Sequence, residues 1–182
     1  IQQATGLNGN RYATFHQLGK EQAQKLHEDD RLYDVGDTIF IGSTPLGNSS
    51  LSLYLREYHD NALSMYPAIG NVKEGRLPEE AIEIALSEDA LQYLGLDAVI
   101  GDTVSLDLSV SVMDGSLSEL EYSADFVLTG ILESSYIGYA SGTVEGIVGE
   151  GTAEELLPEE YLLYSTDFKT YDKQNFQSII YA

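Results

Sequence analysis

Two runs of alternating residues constrain this chain more than any other feature. Val104, Leu106, Leu108, Val110 and Val112 alternate with Thr103, Ser105, Asp107, Ser109 and Ser111. Further on, Leu120, Tyr122, Ala124, Phe126 and Leu128 alternate with Glu119, Glu121, Ser123 and Asp125, and Thr129 follows. A period of two puts every apolar residue of a run on one face of a strand. The polar stretch Met113-Asp114-Gly115-Ser116 between them is a turn, so the pair predicts a long antiparallel hairpin with arms of ~10 residues, each reaching ~33 Å. Such a hairpin has an apolar face to bury and an acidic one, with Asp107, Glu119, Glu121 and Asp125, to leave in water.

The segment just before it, from Glu74, carries equally local signals. Ser87 is a good helix N-cap, and Glu88 and Asp89 place negative charge where the helix dipole favours it. Leu86 and Leu91 stand at the positions of a hydrophobic staple, and Gly95 follows Leu94 where a left-handed residue ends a helix. These predict about two helical turns over 88–94, then a turn at Gly101-Asp102 leading into the hairpin.

The rest of the chain is read in order. Arg11 to Phe15 is a short strand, and an amphipathic helix runs from about Gln17 to Glu28 on the spacing of Leu18, Gln22 or Ala23, and Leu26. Leu32 to Ile41 holds one or two strands broken at Gly36-Asp37, and 42–48 is dense in turn formers. Leu51, Leu53 and Leu55 alternate with Ser52, Tyr54 and Arg56, a strand with one aliphatic face. Asp60 begins a single turn ended by Pro67. Gly138, Gly142, Gly146, Gly149 and Gly151 mark a bulged region, Thr152 caps a short turn, Tyr161 to Ser165 is a strand, and Tyr171 onward starts a helix. Strands and helices in this mixture predict an α+β fold.

Composition excludes several functions. Nine Lys+Arg against 30 Asp+Glu give a formal net charge of −21 in 182 residues. That charge repels a phosphate backbone and an anionic lipid surface, so neither nucleic acid nor a membrane surface is expected as a partner. There is no cysteine, hence no disulfide, thiolate nucleophile or Cys-ligated metal. The most apolar patch, Phe126 to Leu132, is far shorter than the ~20 residues of a membrane helix.

Motifs for chemistry are missing or incomplete. His16, His27 and His59 fall in no metal-binding spacing and read as solvated or capping residues. Ser43 and Ser141 lack the context of a nucleophile elbow and read as turn serines. The glycines of 146–152 lack the Lys of a phosphate loop, and Glu150 would repel phosphate. Gly138, Gly142 and Gly146 have small-xxx-small spacing without an apolar helix. Asp29, Asp30, Asp34 and Asp37 lack the order of a calcium loop. Among 30 acids a hydrolytic carboxylate pair is defined only by spatial separation. The 13 tyrosines can form a sugar or peptide platform, although several occupy core-facing strand positions. The expectation is no catalytic residue, no cofactor and no metal.

Short motifs do carry a resemblance. Gly75-Arg76-Leu77-Pro78, Glu83 to Ser87, Gly95, Gly101-Asp102 and Leu128-Thr129-Gly130 resemble the extracytoplasmic core domain of MacB/FtsX-type ABC transporter permeases, as does the opening Tyr12–Phe15 with Leu18 and Glu21–Ala23. Ala81-Ile82 departs from the polar residue usual before the "EIALS" segment. The resemblance implies a small porter-like α/β lobe (1–73) with an inserted β-rich lobe (74–165) and a return to the first lobe beginning at 166–182. It implies membrane helices outside this sequence, a location on the outer side of the cell membrane, a cytosolic ATPase subunit as partner, and pairing with a second permease subunit. Its role would be non-catalytic, relaying conformational change or guiding substrate, and the isolated domain is expected to be a monomer. The alternative reading is a free-standing secreted module that binds peptide or carbohydrate.

Overall fold

The computed structural model describes residues 5–7, 10–47, 49–59, 62–63, 66, 69–114, 116–134 and 142–170. Within these, ten strands stand against three helices of eight, six and five residues. The expected α+β balance is therefore corrected: the chain is mostly β, and no α/β lobe of the porter type forms. Contacts divide the chain into two units, 1–39 with 58–65 and 162–182, and 40–57 with 66–161.

The first unit contains β1 (Thr5–Leu7), β2 (Asn10–Leu18), α1 (Lys20–His27), the first part of β3 (Leu32–Pro45) and the C-terminal strand β10 (Tyr164–Thr170). β10 lies between β2 and β3 and is antiparallel to both, with Thr166 opposite Phe15 and Asp37. The helix expected from Gln17 starts later, because residues through Leu18 belong to β2, where Leu18 pairs with Tyr164. Gly19 becomes its N-cap, and the Gln22 side chain accepts from the Gly19 amide at 3.0 Å. Phe15, Leu26, Leu32, Val35 and Phe168 form the apolar cluster of this unit, with the Phe15 and Phe168 rings stacked at 5.5 Å.

The second unit holds the rest of β3, β4 (Ser52–Tyr58), β5 (Val72–Gly75), β6 (Glu83–Ser87), α2 (Glu88–Tyr93), β7 (Thr103–Asp114), β8 (Ser116–Leu132), β9 (Thr143–Val148) and α3 (Thr152–Leu156). A 3-10 turn at Glu159–Tyr161 follows. The hairpin read from alternation is present: β7 and β8 pair antiparallel from Thr103↔Val127 to Asp114↔Ser116. Val104, Leu106, Leu108, Val110, Ala124, Phe126 and Leu128 are buried, as period two demands.

Strand neighbours run β3-β4-β9-β6-β8, β8 pairs β7, and β7 pairs back to β3. The second unit is thus a closed circuit of six strands with an aliphatic interior of Ile41, Leu53, Leu55, Ile84 and Leu86. Two of its pairings, β4 with β9 and β6 with β8, are parallel. Gly42-Ser43-Thr44-Pro45, read as a turn, is strand, and beyond it Ser49 N–H donates back to Leu46 O. β3 is also unbroken at Gly36-Asp37, although Asp34 has φ 50° and the pairing with β10 shifts register there. The expected strand Tyr161 to Ser165 begins at Tyr164 and continues to Thr170. The expectations for the 60–67 turn, Gly138, Ser141 and the helix from Tyr171 involve residues outside the described ones. No helix among the described residues is long and apolar enough to cross a membrane.

Candidate functional site

The circuit of the second unit closes through one residue pair, Ser43↔Ser109. Gly42 makes this contact feasible. Its φ is 153°, and an added Cβ would stand 3.0 Å from Leu108 Cβ and 3.3 Å from the Ser109 carbonyl oxygen. A side chain there would require β7 or Leu108 to give by a few tenths of an ångström.

Two cavities flank that closing pair and share Ser43 and Ser109 as lining, together a groove across the seam. One arm, about 270 Å³, is lined by Phe40, Ser43, Tyr54, Arg56, Ser109 and Ser111. The other, about 450 Å³, is lined by Asp107, Ser109, Glu121, Tyr122 and Ser123 together with Ser43 and Pro45. Strand period puts these residues here. Leu53 and Leu55 point inward from β4, so Tyr54 and Arg56 occupy its other face, and Leu108 and Val110 do the same for Asp107, Ser109 and Ser111 on β7.

The first arm has an aromatic wall. The Phe40 and Tyr54 rings meet edge to face, with centroids 5.6 Å apart and planes at 69°. The Arg56 guanidinium carbon lies 5.5 Å from the Phe40 centroid and 5.6 Å from that of Tyr54. Arg56 also pairs with Glu145 on β9, which neutralises it. In the second arm, the Ser123 hydroxyl donates to Asp107 at 2.5 Å. The Tyr122 hydroxyl donates to the Ile41 carbonyl, and burial raises its phenol well above the ordinary value. The groove therefore has two aromatic rings with Arg56 over them at one end, carboxylates at the other and serine hydroxyls between.

The residues carrying the family resemblance sit elsewhere in the second unit, at a strand crossing on β8. Gly101 N–H donates to Leu128 O at 2.8 Å, Leu128 N–H to Asp102 O at 2.9 Å, and Arg76 N–H to Thr129 O at 2.9 Å. The Thr129 hydroxyl donates back to Arg76 O at 3.2 Å. Gly75 (φ 79°) and Gly130 admit this closeness, because a Cβ on Gly75 would stand 2.2 Å from Thr129 O and one on Gly130 2.3 Å from Arg76 O. Arg76 grips Glu83 with two nitrogens, at 3.0 and 2.7 Å. Glu83 also accepts from the amides of Glu79 and Glu80 at 2.9 and 3.0 Å. This closes the loop that contains Leu77 and Pro78. The Arg76 hydrogen bonds hold the Glu83 carboxyl down at about 2, with the Glu80 and Glu79 amides acting in the same direction. Ser87 and Gly95 bracket α2 instead: Ser87 Oγ accepts from Ala90 N–H at 3.2 Å, and Gly95 has φ 71°. None of these residues lines the groove.

The remaining sequence candidates separate. His27 Nε2 is 2.9 Å from Asp37 Oδ2, and the Thr166 hydroxyl donates to the other Asp37 oxygen at 2.7 Å. His16 Nδ1 is 3.2 Å from Ser165 Oγ. Of the acids read against a calcium loop, Asp29 pairs with Arg31 at 2.6 Å and Asp34 with Lys169 at 3.4 Å. No group of three or more His, Cys, Asp or Glu among the described residues could hold a metal ion. Gly146 lies against Leu55 and Leu86 inside the strand circuit, and Gly151 is the N-cap of α3. Sequence reasoning missed the groove. Its signal was the alternation in β4, which set Tyr54 and Arg56 opposite an aliphatic face; Ser43 was hidden among turn formers.

No protein-family model matches this chain, and no curated protein matches it either.

Proposed function

We propose that the chain is the outward-facing domain of a MacB/FtsX-type ABC transporter permease, a non-catalytic element that relays conformational change or guides substrate. ATP is then hydrolysed by a cytosolic partner subunit, and membrane helices link the two. The observation that carries this reading is the path of the chain through the first unit. β2 and β10 are antiparallel neighbours, with Arg11 opposite Thr170 and Tyr12 opposite Lys169. Arg11 near the start of β2 and Thr170 at the end of β10 thus lie side by side, at the ~5 Å spacing of paired strands, and β1 turns back along the other edge of β2, with Thr5 opposite Tyr12. A domain placed between two adjacent membrane helices needs its early and late elements close together, and β1, β2 and β10 are consecutive neighbours in the sheet. The crossing of Gly75, Arg76, Glu83 and Thr129 adds support, since the residues that resemble the family meet as a structural joint.

Purification of the full-length protein from detergent-solubilised membranes tests the proposal. An ATP-binding subunit should co-purify with it in fixed stoichiometry. Recovery from the soluble fraction, or from membranes with no nucleotide-binding partner, would overturn it.

A further inference from the structure

The geometry points to the groove at the β3–β7 seam as a binding site for a neutral oligosaccharide. This does not rest on the transporter reading. Every lining residue named above belongs to the second unit.

Three observations narrow the ligand. First, the groove runs across β4, β3, β7 and β8, three strand spacings or ~14 Å, which matches a few sugar rings laid end to end. Second, its wall is built for stacking and hydrogen bonding: Phe40 and Tyr54 present aromatic surface, and Ser43, Ser109 and Ser111 present hydroxyls that both donate and accept. The wall is pre-organised, because Arg56 sits within 5.6 Å of both ring centroids and is tied to Glu145, so little order is lost on binding. Third, charge argues against an anion. Arg56 is the only cation on the described lining and is matched by Glu145, while Asp107 and Glu121 stand at the other end.

An extended peptide fits less well. Peptides of that kind dock by adding a strand to an open sheet edge. At this seam β3 and β7 are already paired through Ser43 and Ser109, and a Cβ on Gly42 would stand only 3.0 Å from Leu108 Cβ, so recognition has to come from side chains. Carboxylates and hydroxyls beside an aromatic face suit the hydroxyl-rich edge and apolar face of a pyranose.

The test is a titration of the isotope-labelled 182-residue chain, followed by amide NMR. The probes are the N-acetylglucosamine tetramer, cellotetraose and maltotetraose, with tetralysine as the cationic control. At least one saccharide should give saturable shifts centred on Ser43, Ser109 and Ser111. Tyr54→Ala should weaken that binding about tenfold through loss of stacking. Ser111→Trp, at an exposed position, should block the groove without touching the core. The proposal is overturned if no saccharide gives saturable shifts, if the shifts lie elsewhere, or if tetralysine produces the groove shifts instead. Unchanged affinity in a variant that keeps the wild-type spectrum would overturn it as well.

Discussion

Replacing Glu83 by Gln is the sharpest perturbation of the crossing on β8. The wild-type carboxylate, with 14% of its side chain exposed, accepts two bonds from Arg76 and one each from the Glu79 and Glu80 amides. Glutamine keeps the shape, loses the charge and has one accepting oxygen for four donors. Bonds to charged groups contribute roughly 1.5–3 kcal/mol, but Arg76 is half exposed and solvent screens its share. We expect a loss of about 2 kcal/mol at pH 7, or roughly 4–8 °C in Tm for a chain of this length. The loss should depend on pH. A carboxyl held at about 2 when folded and at the ordinary 4.5 when unfolded contributes stability that is fully present above pH ~4.5 and fades as pH falls towards 2. Urea unfolding of wild type and Glu83→Gln at several pH values measures this difference directly. It should be largest at neutral pH and shrink below pH ~4.5. Equal stabilities at pH 7, or a gap that widens on acidification, would refute the reasoning.

Other expectations follow from the same contacts. Ser87→Ala removes the cap on Ala90 N–H and should cost ~1 kcal/mol, whereas Leu91→Ala, at a buried position, should cost ~2–5 kcal/mol; a denaturation series with no loss for Leu91→Ala would show that α2 is not packed as described. Glu57 is 1% exposed and accepts from Ala153 N–H at 2.8 Å, so Glu57→Ala should destabilise by about 1–3 kcal/mol, which thermal unfolding will report. The 182-residue chain should bind no ATP in calorimetry, and saturable heats would contradict the proposed non-catalytic role. It should also sediment as a monomer near neutral pH, since the net charge of −21 and the row Asp107, Glu119, Glu121 and Asp125 set like charges against each other in any self-contact; a micromolar dimer would contradict that.

Local chemistry explains which parts were legible in the sequence. Alternation fixes the faces of β7 and β8 because the side-chain period of a strand is invariant, and register follows once one face is buried. Ser87 was legible because a cap depends on atoms three residues away. What could not be read depends on distant partners. β4 meets β9 about ninety positions on, as in Leu53↔Val144, and no local pattern encodes a parallel pairing. At Gly42 to Pro45 the turn propensity was genuine but lost to tertiary context: Ser43 pairs with Ser109 on β7, and Gly42 beside it eases the close approach to Leu108. Likewise the helix read from Gln17 yielded its first residues to pairing between Leu18 and Tyr164. The α+β reading failed for the same reason, since the non-local pairings that make the chain mostly β carry no local mark. The groove was half visible, in Tyr54 and Arg56. Its other half comes from β7, which only the closing of the strand circuit brings near.

The central claim, that this chain faces outward from a membrane-embedded permease, is tested most directly by labelling. The chain contains no cysteine, so Ser50→Cys, at an exposed bend, introduces a single reporter thiol in it. In intact cells expressing the full-length protein, with the unsubstituted protein as control, a membrane-impermeant maleimide should label the introduced thiol in the membrane fraction without lysis. Labelling only after lysis, or labelled protein recovered free of the membrane, would contradict the account.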